Sequence, residues 1–164
     1  MNRIEKRMEE LQQKNEKAFV TYMTAGLPDM EGTKALIKAQ DEAGIDIIEL
    51  GIPFSDPTAD GPVIQDASYR SICKGTNVKG VFTAVEEVRK DCEVPIVFMM
   101  YYNTILYYGV EAFAKKCAET GVDVSSSPIF QKKNSLNWQR HLNTQKMPQS
   151  SFSLSHRYPQ TEFL

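Results

Sequence analysis

The chain is short of the residues from which metal sites, disulfide frameworks and membrane spans are made. Three cysteines, Cys73, Cys92 and Cys117, stand far apart, are odd in number and lack C-x-x-C spacing. They exclude a disulfide scaffold and read as free thiols of a cytoplasmic protein. The two histidines, His141 and His156, have no partners at ligand spacing, so no metal is expected. No run approaches the roughly 18 apolar residues of a membrane span. The first residues, MNRIEKRMEELQQK, hold no apolar core of the signal-peptide kind. Net charge is only −2, which argues against broad attraction to nucleic acid or an anionic membrane.

What remains is an ordinary globular composition. The 164 residues are 41% hydrophobic and 24% charged, enough for one domain with a core. Ile4, Met8 and Leu11 recur at i, i+4, i+7 and predict a helix over 2–14. Residues 18–24 (AFVTYMT) read as a first strand ending at Ala25-Gly26. Asp29 can cap a helix over 30–43, with Leu36, Ile37, Ala39 and Ala43 as its apolar face and Gly44 as its stop. Residues 45–50 form a second strand, and helices are expected from Val63 to Cys73 and again after Asn77. Pro95 to Met100 is a continuous apolar run of strand length, as suits a parallel strand buried on both faces. A tyrosine-rich loop follows (Tyr101, Tyr102, Asn103). A last helical face then carries Val110, Phe113, Ala114 and Cys117 and ends at Gly121. Strands separated by helices imply parallel pairing through right-handed crossovers, an α/β fold.

The chain is organised around DIIELGIPFSDPTADGPVIQD, Asp46 to Asp66. A buried strand ends by presenting Glu49. A loop stiffened by Pro53, Pro57 and Pro62 then carries Asp56 and Asp60. Parallel α/β enzymes keep their chemistry at such strand ends. Glu49 is either a general acid/base or a carboxylate that is solvated or paired with a lysine. Asp60 is either a fixed anion for an N–H donor or a turn former bonded to its own backbone. Asp56, beside Pro57, reads first as a turn former. Tyr22 and Met100, at the ends of strands one and three, could wall a pocket or simply pack. Tyr101 and Asn103 could meet a ligand or satisfy loop backbone.

An internal echo joins the two halves of this region. Glu42-Ala43-Gly44-Ile45-Asp46 precedes strand two, and Glu119-Thr120-Gly121-Val122-Asp123 closely repeats it. A fourth apolar strand should therefore begin at residue 124. Instead the text turns to VSSSPIFQKKNSLNWQRHLNTQ, rich in Ser, Gln, Asn and Lys and without helical or strand period. One reading is a natural disordered tail. The sharper reading is a shifted frame. With TCN codons for serines 125–127, one G inserted before the codon of Val124 yields Gly and then three NTC codons, each Leu, Ile, Val or Phe. The next codons allow Pro and Asp, then Leu, Ile or Phe, then Pro or Ser, then three of Glu or Lys. A strand ending in an aspartate loop is thereby restored. The expected division is residues 1–123 as folded domain and 124–164 as an irregular tail from a one-base deletion.

The stretch ELGIPFSDPTADGPVIQDA, Glu49 to Ala67, closely resembles the signature of the tryptophan synthase alpha subunit family. The resemblance continues through AFVTYMTAGLPD, EAGIDIIELG, VPIVFMMYYN and TGVD, and covers residues 1–123. It implies the first three β/α units of a TIM (β/α)8 barrel plus an N-terminal helix. It also implies a lyase that cleaves indole-3-glycerol phosphate to indole and glyceraldehyde 3-phosphate in tryptophan biosynthesis. By the same resemblance Glu49 gives and takes protons, and Asp60 accepts the indole N–H. Tyr22, Met100 and Tyr101 bind substrate, with Tyr22 and Met100 where the family often has Phe and Leu. Pro53 and Asp56 face a beta subunit in an alpha2-beta2 complex. No cofactor is expected, since pyridoxal phosphate belongs to that beta subunit. The family's phosphate loops come from later strands, and no such residues are read here. The chain alone is therefore expected to be aggregated or molten and to lack lyase activity. Two other outcomes are a non-catalytic partner that activates the beta subunit and a functionless product of a broken gene. A beta-subunit assay with and without the chain separates the lyase reading from the activating-partner reading.

Overall fold

A computed structural model of the chain describes residues 3–126. The order is α1 (Arg3–Lys14), β1 (Val20–Thr24), α2 (Met30–Glu42), β2 (Ile47–Gly51), α3 (Pro62–Cys73), α4 (Val78–Val88), β3 (Ile96–Met99), α5 (Tyr102–Tyr108), α6 (Val110–Thr120) and β4 (Val124–Ser126). The four strands form one parallel sheet in sequence order. Each α-helical crossover thus returns the chain to the next sheet position, as in a winding barrel wall.

The helix boundaries follow local chemistry. The Asp29 carboxylate accepts from Gly32 N at 2.7 Å and starts α2; the Asn77 side-chain oxygen accepts from Gly80 N at 3.0 Å and starts α4. Gly121 stops α6 with φ +76°, a conformation side-chain-bearing residues rarely take.

The sheet has one covered face and one open face. On the covered side Met23, Ile48, Leu50, Ile96 and Phe98 join Ile37, Phe82 and Phe113 from the helices in one core. Phe82 packs its ring against Phe98 and Phe113, both at 5.3 Å between centroids. Burying each such ring is worth about 2–3 kcal/mol, so this layer holds the fold. On the opposite face Ile47 and Val97 are covered by Ile4 of α1, while Val20 and Tyr22 stay partly exposed.

At the amino ends of the strands, the sequence echo becomes a repeated device. Asp46 accepts from Phe19 N and from Arg7 Nε, both at 2.6 Å. Asp123 accepts from Ile96 N at 2.9 Å and from Arg3 Nη1 at 3.3 Å. Each aspartate ties the start of its own strand to that of the preceding neighbour and to an arginine of α1. Arg89 adds a third layer, donating to Asp123 Oδ2 at 2.9 Å and to the Val94 carbonyl at 2.6 Å. Burial pushes the Asp123 carboxyl up and Arg89 down, and the attraction between them opposes both shifts.

Three expectations are corrected. The loop after β3 is only Met100-Tyr101, because Tyr102–Tyr108 forms α5, anchored by buried Ile105 and closed by Gly109 at φ +93°. Of the apolar face assigned to α2, Ile37 is buried as expected, but Leu36 is 44% exposed and Ala39 and Ala43 are exposed as well; Thr33, four residues before Ile37, is buried instead. Third, the backbone of Val124–Ser126 does pair with β3, where no strand was expected. Main-chain pairing needs no apolar side chain, and Asp123 N donating to Ile96 O at 2.9 Å delivers the chain to that edge. The remainder of the expected tail, with His141 and His156, lies outside the described residues.

Candidate active site

Glu49 lies in β2 on the open face. Its register partners are Tyr22 in β1 and Val97 in β3, so the three side chains stand in one row across the sheet. Among the described residues no hydrogen bond or ion pair engages its carboxylate, which disfavours the paired-with-lysine reading. Partial burial raises its pKa, since the charged form loses solvation without gaining a partner. A carboxyl in that condition exchanges protons more readily near neutrality than a solvated one.

Gly51, two residues on, shares the same face. A Cβ at this position would overlap the Tyr22 ring, so the glycine makes the space that the phenol fills. The Tyr22 hydroxyl lies 3.4 Å from Thr24 Oγ1. Burial raises the Tyr22 pKa, and the nearby charges of Asp60 and Glu49 oppose ionisation further, so the phenol stays neutral. Tyr22 pairs with Glu49 across the sheet and lines one cavity with Asp60, which puts the two carboxylates on the same side of the molecule.

The loop beyond β2 returns Asp60 to the end of β3. Tyr101 Oη donates to Asp60 Oδ2 at 3.0 Å and accepts from Ala59 N at 2.9 Å. The Asp60 side chain is thus turned toward the site rather than spent on its own backbone. Its main-chain carbonyl accepts from Gln65 Nε2 at 2.8 Å, tying the loop to α3. Phe54 stacks on Tyr101 with centroids 4.9 Å apart. Pro53 is half-buried and Asp56 exposed, its carboxylate accepting from the Ser55 hydroxyl.

Tyr22, Ile52, Asp60, Met99, Met100 and Tyr101 surround a cavity of about 10 Å³. That holds about one water. A bicyclic ligand would have to lie on the open face beside Tyr22, which is 37% exposed. Met100 borders the cavity but is buried among the core residues, whereas Met99 pairs with Gly51 and shares the face of Glu49. The strand alternation, counted from Val97, was the available signal for Met99. The acids, the Tyr22 phenol and both methionines are brought to one end of the sheet. Pro53 and Asp56 stand on the outer part of the loop.

No group of three His, Cys, Asp or Glu suited to a metal occurs among the described residues. Burial pushes the Cys92 thiol up to about 11 and raises Cys117 as well, which disfavours their reactive thiolate forms. No helix among the described residues is long and apolar enough to cross a membrane.

The family model described as tryptophan synthase alpha chain matches residues 8–135. The alpha chain of Lachnospira eligens is 57% identical over 124 residues, covering 75% of this chain and 47% of that one. That of a Thermoanaerobacter species is 44% identical over 139 residues, covering 83% and 53%. The crystal structure of the Legionella pneumophila alpha subunit superposes with TM-score 0.86 at 36% identity, over 90% of this chain and 56% of that one. The chain spans about half the length of the curated relatives it matches. The fold is accordingly part of the family's barrel, and the chain belongs to the tryptophan synthase alpha chain family.

Proposed function

We propose that this chain carries the reacting acids of an indole-3-glycerol phosphate lyase without the parts that would make it turn over alone. The observation that supports this is the half-buried Glu49, without a partner among the described residues, on the same side as a loop aspartate held by Tyr101. Cleaving the bond from indole C3 to the glycerol side chain requires a proton on C3. The resulting indolenine carries positive charge on nitrogen, which takes up the bonding electrons as the bond breaks. A glutamate that both gives and takes a proton suits the two ends of that exchange, and Asp60 suits the ring N–H. Tyr22 and Met99, on the face of Glu49, then wall the indole, with Met100 behind the cavity and Tyr101 at its edge. The remote phosphate has no anchor among the described residues. Binding energy from such a group normally holds the reacting carbon in place, and its loss costs rate directly.

The same reading makes residues 1–123 the family portion and 124–164 the product of a one-base deletion. Resequencing the coding DNA around codon 124 tests this. An intact frame in near relatives that also encode VSSSPIF would remove it. The functional experiment measures indole release by the chain as it stands and by a frame-restored chain. The first should show none. The second should turn over and lose at least about a hundredfold with Glu49→Gln, the lower range for a general acid/base. Restored turnover that survives Glu49→Gln would defeat the assignment.

A second reading is docking without catalysis. Asp56 is exposed on the loop, and Leu106 and Tyr107 of α5 are 53% and 96% exposed. An exposed apolar and aromatic pair of this kind suits a protein partner. The family's beta subunit is the proposed partner, through Pro53 and Asp56. A beta-subunit assay with and without the chain distinguishes this reading.

A further inference from the structure

The geometry points to Tyr101 as a positioning residue that sets Asp60, its hydroxyl being committed to the loop rather than to a ligand. The inference rests on the role proposed for Asp60 and adds the group that holds it. A tyrosine hydroxyl has one hydrogen to donate and lone pairs to accept. Here the hydrogen goes to Asp60 Oδ2 at 3.0 Å, and a lone pair takes the Ala59 N–H at 2.9 Å. Tyr101 itself is 6% exposed and its ring stacks on Phe54. Two successive loop residues are therefore fixed by one oxygen, and a third by the ring.

The consequence is directional. Tyr101 is the first residue after Met99-Met100 and moves with the sheet, whereas Ser55, Asp56, Thr58 and Ala59 are exposed. An aspartate on such a loop would otherwise sample several rotamers. With Oδ2 held, Oδ1 is left without a partner among the described residues, free to take an N–H from the open face. The ring of Tyr101 can still border the pocket; its oxygen cannot serve a ligand without releasing Asp60.

The test uses the full chain, with Tyr101→Phe as the variant that keeps ring, stacking and packing. Amide exchange at Ala59 should quicken about threefold to tenfold, the factor carried by one ordinary hydrogen bond. The Ile48 amide, which donates to Pro95 O in the sheet, should not change. Binding of 15N-labelled indole, followed through its N–H resonance, should weaken by a similar factor. Asp60→Asn should weaken it too, and adding Tyr101→Phe to Asp60→Asn should cost nothing more, because the hydroxyl acts through the carboxylate. Ala59 exchange and indole affinity unchanged in Tyr101→Phe, or additive losses in the double variant, would overturn the inference. If the unaltered chain binds no indole, the proposed site is what fails, and Ala59 exchange still decides whether the clasp exists.

Discussion

At the amino ends of the strands every buried acid has partners, while at the carboxyl ends the acids are left half-free. Asp46 and Asp123 each take a backbone N–H and an arginine of α1, and Asp123 adds the nearly buried Arg89. Glu49, three residues after Asp46 and in the strand that Asp46 starts, has no such partner among the described residues, and the Asp60 side chain has one phenol. The difference teaches how one parallel sheet can serve two ends. Polar groups that fasten strand starts are fully satisfied and resist change. Polar groups meant for chemistry keep unused bonding capacity, at a cost in local stability.

The comparison can be broken most forcefully at Asp123. Asp123→Ala leaves Arg89 buried without its counter-charge and Ile96 N without its acceptor, and should cost about 3–5 kcal/mol, read from the urea midpoint of far-ultraviolet circular dichroism. Asp46→Ala should cost less, about 1–3 kcal/mol, because Arg7 is 32% exposed and recovers solvent whereas Arg89 is 8% exposed. Equal losses would mean that burial of the partner does not set the scale.

At the other end the sign reverses. Burial raises the Glu49 pKa in the folded chain, so the folded state holds its proton to higher pH than the unfolded one does. Stability from this group is then present below the unfolded value and is lost as pH rises to the folded one. Glu49→Gln should therefore be neutral or slightly stabilising at pH 7, by less than about 1 kcal/mol after solvent screening, and without effect near pH 4. Destabilisation at pH 7 would show that Glu49 has a structural partner. Smallest of all, Asp91→Asn removes the exposed Lys38–Asp91 pair at 2.8 Å and should leave the urea midpoint unmoved.

Much of the scaffold was legible because it rests on short-range rules. Asp29 and Asn77 cap where their spacing to the next apolar stripe said they would, and Gly44, Gly75 and Gly121 take the positive φ that ends a helix. The Gly-Ile-Asp and Gly-Val-Asp echo correctly marked two equivalent places in the fold. What the echo does there was not legible. Arg7 meets Asp46 across 39 positions and Arg3 meets Asp123 across 120, distances that no periodicity spans. Helix α5 was missed because YYNTILYY has one buried anchor, Ile105, and so no repeating stripe. The β4 backbone was missed because its serines carry no strand signal. In the site, Glu49 and Asp60 stood out through their place on a strand end and a stiff loop. Met99 and the hydroxyl of Tyr101 did not, since one depends on strand phase and the other on a loop folding back.

Residue-resolved amide exchange across the sheet tests the division of labour most directly. Phe19 N and Ile96 N, held by Asp46 and Asp123, should be protected well above Ala59 N, held only by the Tyr101 hydroxyl. Protection at Ala59 equal to or greater than that at Phe19 and Ile96 would contradict it.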